Sequence, residues 1–396
     1  MTTAVIVDAV RTAVGARNGR LSGWHPTDLA AEVLAALALR NGLDPALVDD
    51  VILGCVTQYG EQAMNVARNA VLAAGWPESV PGVTVDRQCA SSEQAVHFAA
   101  QAVMSGVCDV VVAGGVECTS STPLGSSVTL GTRPFGPRIV ERYAAAGGLV
   151  PPGVAAERIA EQWSLSRDDL DAYAATSLER GRAAARGGRF RAEIVPVQAR
   201  TRDRETGQVN ATDGQLLVAD EGGWPGPVAE LAGLLPAFVP GGRVTAGNTA
   251  AVSDGAAAVL VMSEERAARL GLQPLARFHA LATAAADPLA MLTAAVPATA
   301  KVLERGKLAI RDIDVVEVNE PFAAVALAWA AETGADLAKV NPLGGAIALG
   351  HPLGAAGARL LTTLVHELRR TGGRYGLQAM SAAGGVATAL VIERLG

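Results

Sequence analysis

The sequence predicts an α/β protein made of two similar halves around a loop-rich insertion, and three observations carry that reading. Short β-rich runs alternate with Ala-rich segments of helical character; a stretch rich in Ser, Thr, Pro, Gly and Arg interrupts them; and the order strand, special turn, long helix, strand, Gly-Gly occurs twice. In chain order, strands are expected at 4–7, 51–53, 83–86 and 110–113, with helices at 29–40, 65–74 and 92–104 between them. The first unit is therefore drawn at 1–118. The insertion is drawn at 119–249, with helices at 154–163 and 167–186. The second unit, 250–396, resumes the regular texture at 256–262, 294–304, 315–318, 322–333, 355–370, 376–380 and 387–392.

Composition narrows the class. Half of the 396 residues are hydrophobic and 18% are charged, which excludes disorder and leaves room for two or three structural units. A net charge of −6 argues against nucleic acid or a membrane surface as partner. Cys55, Cys89, Cys108 and Cys118 form no Cys-x-x-Cys pair, so no metal site is expected and a reduced, cytoplasmic chain fits best. No signal-peptide pattern is present, and no apolar run approaches the roughly 18 residues a membrane helix needs.

Two residues stand in chemically suggestive frames. Cys89, in VDRQCASSEQAVHFAAQAV, lies after a strand and just before a helix of small residues. Helix N–H groups there are expected to lower the thiol pKa toward neutrality and make the sulfur a nucleophile. His351, in GGAIALGHPLGAAG, is framed by glycines that allow tight turning and close backbone approach; it can take a proton from a thiol. The other three cysteines, and His25, His97, His279 and His366, read as ordinary structural residues.

These segments resemble the thiolases, enzymes that cleave or form 3-ketoacyl-CoA thioesters. The resemblance runs through VRTAVG, QCASS, AGGVE at 113–117, LLPAF at 234–238, TAGNTAAVSDGAAAV from Thr245, VNEPFAA from Val318 and GGAIALGHPLG from Gly344. It implies a five-layered α-β-α-β-α fold and a homodimer or homotetramer, with the insertion covering substrate and making oligomer contacts. Coenzyme A or an acyl-CoA is implied as substrate, with no tightly bound cofactor.

By the same resemblance, Cys89 is the acylated nucleophile and His351 the base that activates it. Asn319 would hold a water beside that histidine, the pair forming one oxyanion hole. A second hole would come from the backbone N–H groups of Cys89 and Ala383. Met291 and Phe322 would wall the pantetheine tunnel beside the Gly247-Asn248 turn, with Ala250 replacing a common pantetheine-binding serine. The run Arg189, Arg191, Arg200, Arg202 and Arg204 is read as a solvated face.

One departure bears on mechanism. Ser381, in MSAAGG, stands where thiolases carry a second, proton-shuttling cysteine, and a hydroxyl is a poor substitute. Ala382 and Ala383 depart beside it, and Pro151, Pro152 and Ser92 suggest a pocket altered for a substrate bulkier than acetoacetyl-CoA. The leading expectation is ping-pong acyl transfer through Cys89. The alternatives are transfer of the acyl group to water, an amine or another carbon nucleophile, and a non-catalytic binder of CoA esters or a partner. Retention of Cys89, Asn319 and His351 together disfavours the last.

Overall fold

The computed structural model describes residues 2–128 and 132–396. In chain order the strands are β1 (Ala4–Thr12), β2 (Gly15–Ala16), β3 (Asp50–Gly54), β4 (Gly82–Val85), β5 (Val110–Cys118), β6 (Ile194–Val195), β7 (Val197–Arg202), β8 (Val209–Leu217), β9 (Ser253–Ser263), β10 (Ala276–Ala285), β11 (Val315–Val318), β12 (Tyr375–Ala382) and β13 (Val386–Arg394). Apart from the β7–β8 hairpin they form one hydrogen-bonded path, β11-β12-β13-β10-β1-β9-β5-β3-β4, with β2 and β6 attached to β9 and β1. At the β1–β10 junction the pairing is brief, Val5 with Arg277 and Ile6 with Ala276. The path therefore divides there into two leaves.

Side-chain alternation shows how the leaves stack. On β9, Ala256, Ala258, Leu260 and Met262 share a core with Leu29 and Leu34 of the outer helix Pro26–Asn41. Ala257, Val259 and Val261 face the other way, onto Ala95 and Ala99 of helix Ser91–Ser105 and Leu361 and Leu364 of helix Ala356–Thr371. On β13, Leu390 and Ile392 reach the same two helices from the second leaf. Ala389 and Val391 instead meet Ala298, Val302 and Trp329 of outer helices Ala295–Gly306 and Ala323–Thr333. The layers thus run helix, sheet, helix, sheet, helix. A strand covered on both faces has no reason to alternate apolar with polar, which is why β9 reads as a continuous apolar run.

The expected boundary at residue 250 needs correction. β9 follows the insertion but pairs antiparallel with both β5 and β1, completing the first leaf. The chain passes to the second leaf only after helix Glu264–Arg269. Between β5 and β9 lie helices Pro137–Tyr143, Pro152–Gln162 and Arg167–Arg186 and the β7–β8 hairpin. The basic run there is partly engaged rather than simply solvated: Arg200 stacks on the Trp24 ring at 3.8 Å and Arg202 pairs with Glu61 at 3.1 Å.

The two halves meet so closely that side chains are excluded. The Gly354 carbonyl of the second half lies 2.1 Å from where a Cβ on Gly115 would stand and 2.7 Å from where one on Gly54 would. Between the central helices, a Cβ on Gly357 would lie 2.5 Å from the Glu93 nitrogen. Backbone cannot yield as a flexible side chain does. Gly115→Ala is therefore expected to destabilise the protein by about 3 kcal/mol or more, whereas Gly136→Ala, with open space around it, should change stability by less than about 0.5 kcal/mol. Urea unfolding of both variants checks this, and equal midpoints would refute the contact.

Candidate active site

Cys89 is presented by a tight turn. Asp86 Oδ1 accepts the Gln88 N–H at 2.6 Å, Gln88 adopts φ 50°, and the Ser91 hydroxyl accepts the Arg87 N–H at 2.8 Å. Helix Ser91–Ser105 begins at once, with Ala90, Ser91 and Ser92 fully buried. The backbone N–H groups of Cys89 and Ala383 face the sulfur. Their pull does not prevail. Burial first, with the carboxylates of Glu117 and Asp86 adding to it, pushes the thiol up to about 12 rather than down toward neutrality. The sequence expectation fails because it counts the helix end but not the desolvation of a thiolate placed there.

His351 shifts in the complementary direction. Gly350 turns the chain at φ 99°, and the His351 N–H donates to the Ala251 carbonyl at 2.9 Å. Burial, and after it the charge of Arg359, push the imidazole pKa down to about 4. The ring is neutral at pH 7 and able to accept a proton. Asn319 donates from Nδ2 to the Ser381 carbonyl at 3.3 Å and from its backbone N–H to Ala379 at 3.0 Å.

These turns converge. Cys89, Leu353, Met380 and Ala382 pack in one cluster, with Val252 against it, and Val252 bridges to His351. Both ring nitrogens of His351, Asn319 Oδ1 and Ser381 Oγ are buried without a protein partner. Unpaired buried polar atoms cost stability, and such a cost is tolerated most readily where a function needs the groups. Among the described residues no group of three or more His, Cys, Asp or Glu side chains is arranged to hold a metal ion.

An apolar cavity of about 610 Å³ opens beside this centre, its walls including Ile139, Leu149, Pro151, Pro152, Met291 and Ala383. Met291 is held at φ 42°, and Phe322 meets Phe238 edge-on at 5.6 Å. Gly247 fits against Leu231, where a Cβ would lie 2.4 Å from Cδ2. The Asn248 amide braces its own turn: Oδ1 accepts the Thr245 N–H, and Nδ2 donates to Asp171 and the Arg243 carbonyl. Ser92 accepts the Ala358 N–H at 3.0 Å between the central helices and does not face the pocket. Ala250 is bound through its backbone to Pro321.

Sequence reasoning assigned no role to Glu117 or Glu320, although each is a lone carboxylate in an apolar, turn-forming motif, which is itself a signal. Glu320 accepts from Tyr173, Ser177, Asn341 and the Ile347 N–H, fixing the loop that carries Asn319.

A raised thiol pKa has a measurable consequence. In a His351→Ala variant, alkylation of Cys89 by iodoacetamide should rise about tenfold per pH unit up to roughly pH 10. A plateau beginning near pH 7 would contradict the burial argument.

Comparison with known proteins fits this architecture. Residues 4–265 match the family model described as thiolase, N-terminal domain, and residues 272–394 match thiolase, C-terminal domain. A steroid 3-ketoacyl-CoA thiolase of Mycobacterium tuberculosis is 50% identical over 100% of this chain and 95% of its own length. A beta-ketoadipyl-CoA thiolase of Pseudomonas aeruginosa is 43% identical, with 98% of each chain covered. The crystal structure of the Bacillus anthracis acetyl-CoA acetyltransferase superposes with a TM-score of 0.87 at 38% identity, covering 100% of this chain and 99% of that one. With both domain models matched in order across nearly all of its length, the chain belongs to the thiolase family.

Proposed function

We propose that this protein is a CoA-dependent acyltransferase that cleaves 3-ketoacyl-CoA thioesters thiolytically, or condenses them in reverse, through an acyl-Cys89 intermediate. The observation that carries the reading is the meeting of two backbone N–H groups, from Cys89 and Ala383, at a protonated thiol within a centre that also holds a neutral imidazole. His351 takes the proton from Cys89 as the sulfur attacks the ketone carbon. The Cys89 and Ala383 N–H groups hold the oxyanion of the adduct, while His351 and Asn319 hold the thioester oxygen. The oxyanion collapses, the bond between C2 and C3 breaks, and acetyl-CoA leaves after its enolate carbon takes the proton that His351 received from Cys89. The thiol of CoA then attacks the acyl-Cys89 carbonyl, giving the shortened acyl-CoA and restoring the cysteine.

CoA acts here as a substrate rather than a resident cofactor. The inserted segment covers the acyl and pantetheine portions and contributes to oligomer contacts, in a homodimer or homotetramer of the cytoplasm. Support for the covering role comes from the cavity, several of whose walls belong to that segment. Ser381 favours a second reading as well, in which an acceptor other than CoA collects the acyl group, because its buried hydroxyl is a poor proton carrier.

Rapid-mixing kinetics separate these readings. Cys89→Ala should abolish acyl transfer without unfolding the protein, and His351→Ala should slow acylation by roughly a hundredfold or more. In the wild type, acylation should outrun thiolysis, and Ser381→Cys should speed thiolysis more than acylation. Wild-type thiolysis as fast as acylation, with no gain on installing the cysteine, would make the serine mechanistically silent.

A further inference from the structure

We infer that the acyl group taken by this site is a large, uncharged hydrocarbon, seated in the cavity above the Ala383-Gly384 turn. The inference rests on the proposed acylation of Cys89 and adds the chemical class of what is transferred.

Position comes first. Ala383 belongs at once to the cavity wall and to the backbone that faces the Cys89 sulfur, so an acyl group bonded to that sulfur enters this space directly. The turn is fixed in place: the Ala286 N–H donates to the Gly385 carbonyl at 2.8 Å, and Gly385, at φ 75°, lies where a Cβ would meet the Ala286 oxygen at 2.7 Å.

Chemistry follows from the walls. Among the described residues lining the cavity, Tyr143 alone carries a side-chain oxygen or nitrogen; the rest are aliphatic, aromatic, proline, glycine or the thioether of Met291. Arg142, on the same short helix, stacks on the Tyr143 ring at 5.5 Å and is not among the lining side chains. A carboxylate at the far end of an acyl chain would lose its water here and find no cation among the described lining residues. A hydrocarbon would instead cover apolar surface that is open to water, such as Phe135, which is 48% exposed.

Size completes the argument. A volume of about 610 Å³ lies within the range of sites that bury a drug-sized molecule, and an acetyl group would leave most of it unfilled. Pro151, Pro152 and Pro288 stiffen the walls, so the space does not simply collapse onto a small group.

Calorimetric titration with uncleavable S-alkyl-CoA thioethers tests the cavity apart from the reaction. From butyl to octyl to dodecyl, affinity should rise by roughly fourfold per added methylene until the space is full. An ω-carboxydodecyl thioether should bind at least about a hundredfold more weakly than dodecyl. Ile139→Lys, or Leu149→Lys if the first variant does not fold, should narrow that gap by at least about tenfold. Affinity indifferent to chain length would overturn the inference, including the case where a second copy of the chain covers the cavity. Equal binding of the carboxylated thioether would overturn it too. Parallel thiolysis assays with the matching 3-ketoacyl-CoA esters keep the two claims apart: no acyl transfer, with the thioether pattern intact, refutes the reaction and not the cavity.

Discussion

Glu117 ends β5 fully buried, and its carboxylate accepts four hydrogen bonds: Val56 N–H at 2.9 Å, Thr57 N–H at 3.1 Å, Gln62 Nε2 at 2.8 Å and Gly354 N–H at 2.9 Å. The last crosses from one half of the molecule to the other. It holds the turn that carries His351 against the ends of β3 and β5, where Gly54, Gly115 and Gly354 leave no room for a Cβ. Glu320 does the same for the Asn319 loop. Each carboxylate is desolvated, and each regains that loss through several donors; removing the carboxylate would leave those donors unpaired, a change worth about 3–5 kcal/mol in comparable buried networks.

That construction has an electrostatic consequence. Burial, with the same Glu117 that fixes the His351 turn adding to it, opposes ionisation of Cys89, while burial and the charge of Arg359 keep the imidazole of His351 neutral. In the proposed reaction a charge-separated pair forms only when proton transfer and attack occur together, beside the Cys89 and Ala383 N–H groups. The centre thus holds little reactive thiolate in the absence of substrate. Ser381 adds no further titratable group to this balance. Its hydroxyl is buried and unpaired, while its carbonyl still positions Asn319.

Much of this is legible in the chain. Continuous apolar runs such as 256–262 announce strands covered on both faces, and the paired Gly-Gly motifs announce the two halves. The turn before helix Ser91–Ser105 and the glycine frame of His351 single out the pair proposed to react. What local sequence does not carry is burial. The thiol's upward shift comes from desolvation by distant segments, which no reading of the helix end alone can supply. β9 lies beyond the boundary expected at residue 250 yet completes the first leaf for a related reason: its partners, β1 and β5, lie far away in sequence and are chosen by tertiary pairing. Asn248 and Ser92 stood in suggestive motifs, yet their polar groups are used to join backbone segments. The cavity is the least legible feature, since its walls come from 135–152, 286–291 and 383–384.

The central claim is that the sulfur of Cys89, protonated at rest and flanked by the Ala383 N–H, becomes covalently acylated. Peptide mapping by mass spectrometry, after brief mixing with a 3-ketoacyl-CoA in the absence of free CoA, tests it most directly. The account predicts a single acyl adduct on the peptide containing Cys89, with acetyl-CoA released in equal amount. An adduct on Cys55, Cys108, Cys118 or Ser381 in its place, or acetyl-CoA release with no protein-bound acyl group, would contradict it.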